Sequence, residues 1–156
     1  MLLPAMICPI TDVRTNKFIG LHRTFIKQDG NGKADVDPSK QKMMLGYSKG
    51  GAVRLSPDDE VTTGLGICEG IETGLSVLNF GWHPVWAALS DNGIRDFPLL
   101  DGIEALTIFA DHDNSGAGEK AARSCAYRWA EADREVIVRK PLKSSSDWND
   151  MGKHHA

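Results

Sequence analysis

Cysteine is scarce in this chain, and the few cysteines are isolated from one another. Cys8, Cys68 and Cys125 are the only ones among 156 residues, and none forms a C-x-x-C pair. An odd number of widely spaced cysteines predicts neither a zinc site nor a disulfide framework, so we expect a reducing, cytoplasmic environment. No apolar run approaches the ~20 residues of a membrane helix, and the apolar start is too short for a signal peptide, so we expect no membrane partner.

Aromatic residues are also few, at 7%, but the remaining composition is ordinary for a globular protein. Hydrophobic residues make up 41% of the chain and charged residues 25%. A chain of this length can bury one core and carry a small additional module. The composition therefore predicts a single main domain with a minor one beside it.

Charge is distributed unevenly along the chain. Residues 1–55 carry nine lysines and arginines against four acidic residues, a net charge of +5, and residues 56–156 carry nine against seventeen, a net charge of −8. This asymmetry suggests a polyanion near the first part and cations in the second, although ordinary solvated faces would look the same. We place a small basic module at residues 1–60, the main domain at 61–152 and a tail at 153–156.

The first module is expected to be rich in β-strands. Residues 6–10 and 18–26 have strand composition, and Asp-Gly and Asn-Gly at 29–32 predict a turn. Residues 39–51 carry three lysines and three glycines with little periodicity, which fits either a basic loop against phosphates or, as we favour, a plain surface connection. Within that stretch, anchoring to the core is expected from Met43, Met44, Leu45 and Tyr47. One more strand is expected at 51–55.

After residue 60 the pattern changes to alternating strands and helices. Strands are expected at 64–68, 84–89, 104–110 and 134–139, and long helices at 71–80 and 116–132. Leu75 and Leu78 are expected to point inward from the first helix, and Ala121, Cys125 and Trp129 from the second. Such alternation predicts an α/β fold with about four parallel strands flanked by helices, preceded by the small β-rich module.

Acidic residues follow three of these strands. Glu69 comes after the first strand, Asp111 and Asp113 after the third, and Asp147 and Asp150 after the fourth. Parallel strands end at one edge of the sheet, and converging carboxylates repel one another unless a proton or cation lies between them. The sequence therefore predicts a site for Mg²⁺, a cation that prefers oxygen ligands.

Other interpretations exist for the pair Asp111 and Asp113. One aspartate could cap the following helix while the other forms an Asx-turn. An EF-hand loop starting at Asp111 is excluded, because its twelfth position requires Glu and holds Ala122. Glu69 stands apart from the other acids, and nearby negative charge should raise its pKa, which suits a general acid or base.

Glu69-Gly70 after one strand, Asp111-x-Asp113 after a later one and Asp147-Trp-Asn-Asp150 further on resemble the Toprim domain. That domain is shared by bacterial-type primases, topoisomerases and certain nucleases. Cys68-Glu-Gly-Ile-Glu-Thr-Gly-Leu75 and Phe109-Ala-Asp-His-Asp-Asn-Ser-Gly116 are similar to primases of phages, plasmids and mobile elements. The resemblance also extends to residues 20–24 and 50–55, which are similar to the segment preceding Toprim in those proteins.

The resemblance implies a role for each matching acidic residue. Glu69 matches the catalytic glutamate, and the metal-binding positions fall on Asp111, Asp113, Asp147 and Asp150. Classical bacterial primases carry an aspartate where this chain has Thr73, and Glu72 beside it is a weaker candidate for a direct role. Contacts with nucleic acid or nucleotide are expected from a basic set: Arg23, Lys40, Lys42, Lys49, Arg54 and Lys143.

The leading hypothesis is the catalytic part of a DNA primase. The partners that the resemblance implies are a single-stranded DNA template, ribonucleoside triphosphates and a replicative helicase or helicase domain, with Mg²⁺, or Mn²⁺ in its place, as cofactor. A Toprim nuclease and a non-catalytic nucleic-acid-binding module are the alternatives. A topoisomerase is disfavoured, because only Tyr47 and Tyr127 could act as its nucleophile and Tyr127 is expected to pack on its helix. Since no zinc-binding cysteine set or helicase segment is present, we expect a fragment of a larger protein or a short stand-alone relative.

Overall fold

The chain divides into two compact units, Met1–Gly51 and Ala52–Ala156. The structure, a computed structural model, describes residues 2–111, 115–141 and 148. The first unit is built from antiparallel strands and the second mainly from parallel strands and helices. The first unit ends at Gly51, whereas the domain boundary predicted from the sequence lies near residue 60.

The first unit is a three-stranded antiparallel sheet in which the middle strand is the most β-branched and aromatic. Strand β1 (Ala5–Asp12) pairs with β2 (Phe18–Phe25), which pairs in turn with β3 (Lys42–Gly46). Asp12 stabilises the turn between β1 and β2. Its carboxylate accepts hydrogen bonds from the backbone N–H groups of Arg14 and Thr15. The four-residue helix α1 (Pro38–Gln41) leads into β3.

Two expectations about residues 39–51 are wrong. The stretch is not a plain loop, because it contains part of α1 and the whole of β3. Its large apolar side chains do not anchor it to a core, because all four are exposed, by 46–79%: Met43, Met44, Leu45 and Tyr47. Strand β3 is held by its backbone pairing with β2 and keeps both of its faces in solvent.

The second unit contains the parallel sheet that the sequence predicts. Its strands are β4 (Gly51–Arg54), β5 (Gly64–Cys68), β6 (Val85–Ala87), β7 (Ala105–Phe109) and β8 (Glu135–Arg139). The spatial order is β4-β6-β5-β7-β8, with β4 antiparallel to β6 and the other four strands parallel. The predicted fold class is confirmed, while the strand that we expected in the first module joins this sheet through Val53 and Arg54.

Helices α2 (Ile71–Asn79) and α4 (Ala117–Glu131) pack on this sheet, and α3 (Asp91–Arg95) packs against α4. Helix α4 buries Ala121, Cys125 and Trp129 as predicted, and the Trp129 ring stacks on Phe97 at 6.4 Å. Two predictions are wrong, because Leu75 is 45% exposed and Tyr127 is 66% exposed. In the described residues, none of the helices combines the length and apolar character needed to cross a bilayer.

Gly93 should be the glycine of the second unit least tolerant of a methyl group. A Cβ at Gly93 would overlap the backbone oxygen of Ala88 and lie 3.0 Å from its carbonyl carbon. Alanine gains about 1 kcal/mol in helix propensity, but overpacking costs about 1–3 kcal/mol and is severe against backbone, so we expect Gly93→Ala to lower the free energy of unfolding by up to about 2 kcal/mol. Urea unfolding measures the difference. The control is Gly64→Ala, whose Cβ would lie 3.9 Å from the nearest atom; an equal loss in both variants would contradict the packing argument.

Candidate active site

Two adjacent strands deliver the carboxylates of Glu69 and Asp111 to the same edge of the sheet. Strand β5 pairs in parallel with β7 over their whole length, and the last pair in register is Cys68 with Phe109. Glu69 follows that pair on β5, and Asp111 follows it by two residues on β7. Both residues are partly buried. The structure therefore brings these two predicted site residues together.

Backbone contacts fix the chain on either side of Glu69. The carbonyl oxygens of Cys68 and Glu69 accept hydrogen bonds from the N–H groups of Ala88 and Leu89, each at 2.8 Å. Gly70 then begins α2 as its N-cap, and a Cβ there would lie 3.6 Å from the Thr73 hydroxyl. Glycine therefore leaves the space beside Glu69 open for a ligand.

Thr73 is the site residue whose role the sequence did not reveal. Its hydroxyl lies 3.2 Å and 3.3 Å from the two carboxylate oxygens of Asp111, and the residue is 4% exposed. This hydrogen bond links the first turn of α2 to the end of β7. The signal in the sequence was the resemblance, which implies an aspartate at this position, four residues after Glu69.

The negative charge of the edge affects the buried thiol of Cys68, which lies directly before Glu69. Burial raises the pKa of this thiol strongly, and the negative charges of Asp111, Glu69 and Glu72 raise it further. The protonated thiol donates towards the carbonyl oxygens of Gly70, at 3.2 Å, and Trp86, at 3.6 Å. Three carboxylates thus lie close enough to Cys68 to repel its charged form, while the sulfur itself is not available as a thiolate ligand.

The donor chemistry of this edge fits a hard cation. Carboxylate oxygens from Glu69 and Asp111, with the Thr73 hydroxyl beside them, are the ligand type that Mg²⁺ and Mn²⁺ prefer. Within residues 2–111, 115–141 and 148, no group of three His, Cys, Asp or Glu side chains is placed to hold a metal ion. The other expected ligands, Asp113, Asp147 and Asp150, lie outside the described residues.

Trp148 packs against the end of β7. Its indole N–H donates to the carbonyl oxygen of Ala110 at 3.2 Å, and its ring meets Phe109 edge-on at 5.3 Å. On its other side Phe109 meets Trp82 at 5.5 Å, and the Arg139 guanidinium lies 4.9 Å above the Trp82 ring. Trp148 is thus anchored to the residue directly before Asp111.

Two of the predicted basic contacts lie on opposite faces of the sheet of the first unit. Arg23 pairs with Met43 across the β2–β3 ladder while Lys42 pairs with Thr24, so the side chains of Arg23 and Lys42 leave opposite faces of the sheet. The Arg54 guanidinium lies 2.6 Å from the Asp58 carboxylate and stacks 4.2 Å above the Trp86 ring. The remaining residues of the set are the exposed Lys40 and Lys49, and Lys143, which lies outside the described residues.

Two family models match the chain, one in each part. The model described as Toprim domain matches residues 64–155, which is more than half of the chain. The model described as a domain of unknown function, DUF7146, matches residues 2–55. No curated protein matches the chain.

Solved structures of DNA primases share the fold of the chain. A DNA primase domain from Pseudomonas aeruginosa matches with a TM-score of 0.61 at 15% identity, over 97% of this chain and 47% of that one. The DnaG catalytic core matches with a TM-score of 0.64 at 16% identity, over 97% of this chain and 49% of that one. The chain thus spans about half the length of these solved chains, and at this identity the likeness concerns the fold.

Removing the Thr73 hydroxyl should destabilise the second unit. Thr73→Val keeps the shape of the side chain but leaves the Asp111 carboxylate without this donor, so we expect the free energy of unfolding to fall by about 1–2 kcal/mol. Thr73→Ser keeps a hydroxyl and should retain most of the stability. Urea unfolding in a buffer with EDTA measures both variants. Equal stability of the valine variant and the unaltered chain would show that the hydrogen bond contributes nothing.

Proposed function

Because the chain belongs to the Toprim domain family, we propose that its acidic edge catalyses nucleotidyl transfer as the catalytic part of a DNA primase. The reaction would join ribonucleotides on a single-stranded DNA template. The likeness of the fold to DNA primase domains supports this assignment over other reactions of the family. The observation that carries it is the meeting of Glu69 and Asp111 at the ends of β5 and β7.

Asp111 is the described residue best placed to hold a divalent cation. The Thr73 hydroxyl contacts both of its carboxylate oxygens and limits their rotation, which keeps the carboxylate oriented at the end of β7. Asp113, Asp147 and Asp150 would complete the ligand set. Bound Mg²⁺, or Mn²⁺ in its place, would neutralise charge on the phosphate oxygens of the substrate.

Glu69 is suited to accept a proton in this reaction. The 3′-hydroxyl oxygen of the growing primer forms a bond to the α-phosphorus of the incoming triphosphate, and the bond to pyrophosphate breaks. The hydroxyl proton passes to the Glu69 carboxylate, which is partly buried and shares its edge with other carboxylates. Gly70 beside it leaves room for the substrate backbone to approach.

The basic first unit would lie along the template. Lys40, Lys42 and Lys49 are exposed, and contacts of lysine with phosphate do not depend on base sequence. Exposed aromatic side chains nearby in sequence, such as Tyr47 at 79% exposure, offer surfaces on which bases can stack. Template binding should therefore be sensitive to salt and largely independent of sequence.

Asp111→Asn should abolish primer synthesis while leaving the fold intact. Asparagine keeps the shape and one oxygen acceptor for Thr73, but it removes the charge that holds the cation, so we expect activity to fall by at least about 100-fold. The assay combines single-stranded DNA, labelled ribonucleoside triphosphates and Mg²⁺ or Mn²⁺, and detects oligonucleotide products on a gel. Urea unfolding of the same variant checks its stability.

A parallel assay in the same buffer, with supercoiled plasmid as the DNA, separates the alternative functions. Nicking of supercoiled plasmid without oligonucleotide synthesis would replace the primase assignment with a Toprim nuclease. DNA binding without either reaction would support the third alternative, a non-catalytic nucleic-acid-binding module. Normal turnover by the Asp111→Asn variant would remove Asp111 from the site.

Loss of the three lysines in the first unit should weaken template binding and its dependence on salt. Each lysine–phosphate contact contributes about 0.7 to the slope of log K against log salt for single strands, so Lys40→Ala, Lys42→Ala and Lys49→Ala together should lower the slope by about 2. Fluorescence anisotropy with a labelled oligonucleotide at several salt concentrations measures it. The control is Lys27→Ala, whose ammonium pairs with Asp35 at 3.4 Å; an unchanged slope in the triple variant would contradict the proposed path.

A further inference from the structure

A groove lined by arginines lies on the second unit, away from the acidic edge. It has a volume of about 540 Å³ and is formed by the end of α3 and the outer face of α4. Its lining consists of three arginines, an aspartate, a serine and a tyrosine: Arg95, Asp96, Arg123, Ser124, Tyr127 and Arg128. Neither the family match nor the proposed reaction assigns a role to these side chains.

Hydrogen bonds and ring stacking hold together the two helices that form the groove. The Arg128 guanidinium donates to the carbonyl oxygens of Arg95 and, at 3.1 Å, of Phe97, and thereby connects α4 to the end of α3. Beneath it, the ring of Phe97 stacks on Trp129. Because these contacts hold α3 and α4 together, a ligand does not have to bring the two helices into place first.

The exposed arginines keep hydrogen-bonding capacity for a ligand. Arg95 uses Nε and Nη2 on the carboxylate of Asp96, both at 2.8 Å, and Arg123 uses Nη2 on Glu119. Each guanidinium carries five N–H donors, so both contacts leave donors over. The lining itself holds three positive charges and one negative charge, which favours an anion.

Tyr127 narrows the chemical class of that anion. Its ring is 66% exposed and follows Arg123 by one turn of α4, about 6 Å along the axis. Guanidinium groups bind phosphate through paired N–H donors, and an exposed aromatic ring offers a surface on which a base can stack. Together these features match a phosphate backbone that carries bases.

We propose that this groove holds a segment of single-stranded nucleic acid that extends from the acidic edge. The choice of ligand rests on the proposed function. Helix α4 begins just after the edge and rises 1.5 Å per residue, so Arg123 lies about 9 Å and Arg128 about 17 Å along the axis from Ala117. A few nucleotides span that distance.

The test is binding of a fluorescent single-stranded DNA oligonucleotide to the whole chain at several salt concentrations. In the double variant Arg95→Ala and Arg123→Ala, we expect the Kd to rise by about fivefold, as for two exposed charge contacts, and the salt slope to fall by about 1.4. Arg128 is kept because it connects the helices. Tyr127→Ala should raise the Kd by about tenfold, whereas Tyr127→Phe keeps the stacking ring and should bind as the unaltered chain does.

The matched control is Lys120→Ala, which removes one positive charge from the same helix outside the groove. A loss in Lys120→Ala as large as that in the double variant would overturn the proposal, because surface charge alone would explain binding. Unchanged binding in the double variant would overturn it as well. So would displacement of the oligonucleotide from the groove by a free ribonucleoside triphosphate, since the occupant would then be a nucleotide.

Failure of the proposed function would look different from failure of this inference. Groove-dependent binding by an unaltered chain that makes no primers would support the groove and reject primer synthesis. Primer synthesis by the unaltered chain, together with unchanged oligonucleotide binding in the groove variants, would support the proposed function and reject the groove.

Discussion

The parallel pairing of β5 with β7 is the constraint on which the rest of the site depends. Both strands are buried and apolar, and their register from Gly64 with Ala105 to Cys68 with Phe109 leaves Glu69 and Asp111 at one edge. A slip of one residue would turn every side chain of one strand to the opposite face, and burial of both faces makes such a slip costly. The position of the carboxylates therefore follows from the packing of the sheet.

The first turn of α2 supplies a hydrogen-bond donor to the carboxylates that the strands bring to the edge. Carboxylates that share an edge repel one another, and a hydrogen-bond donor reduces that cost as a cation would. The Thr73 hydroxyl supplies such a donor to Asp111, and the helix that carries it starts at Gly70, directly after Glu69. Threonine at this position thus supplies a neutral donor to the edge and adds no further negative charge.

The sequence predicts the second unit better than the first, for a physical reason. Strands β5 and β7 are continuous apolar runs, so their composition predicts their burial. Along α4 the buried residues recur once per helical turn. Strand β3 has no such signal, because both of its faces are exposed and it is held by backbone pairing with β2. Leu45 therefore looks like a core residue by type, yet it is 73% exposed. Thr73 was identified only as a departure from a pattern, since its hydrogen bond joins residues 38 positions apart.

The separation of positive from negative side chains explains how an acidic unit could hold a polyanion. Residues 56–156 carry a net charge of −8, and the carboxylates of the edge would repel a phosphate backbone. The Debye length is about 8 Å at physiological salt, so charges separated by more than that distance across solvent are largely screened. Two of the groove's arginines, Arg123 and Arg128, lie about 9 Å and 17 Å along α4 from its start at Ala117. Screening over such a distance lets the arginines of α4 attract phosphates, while the pairing of β5 with β7 keeps the carboxylates at the edge for a cation.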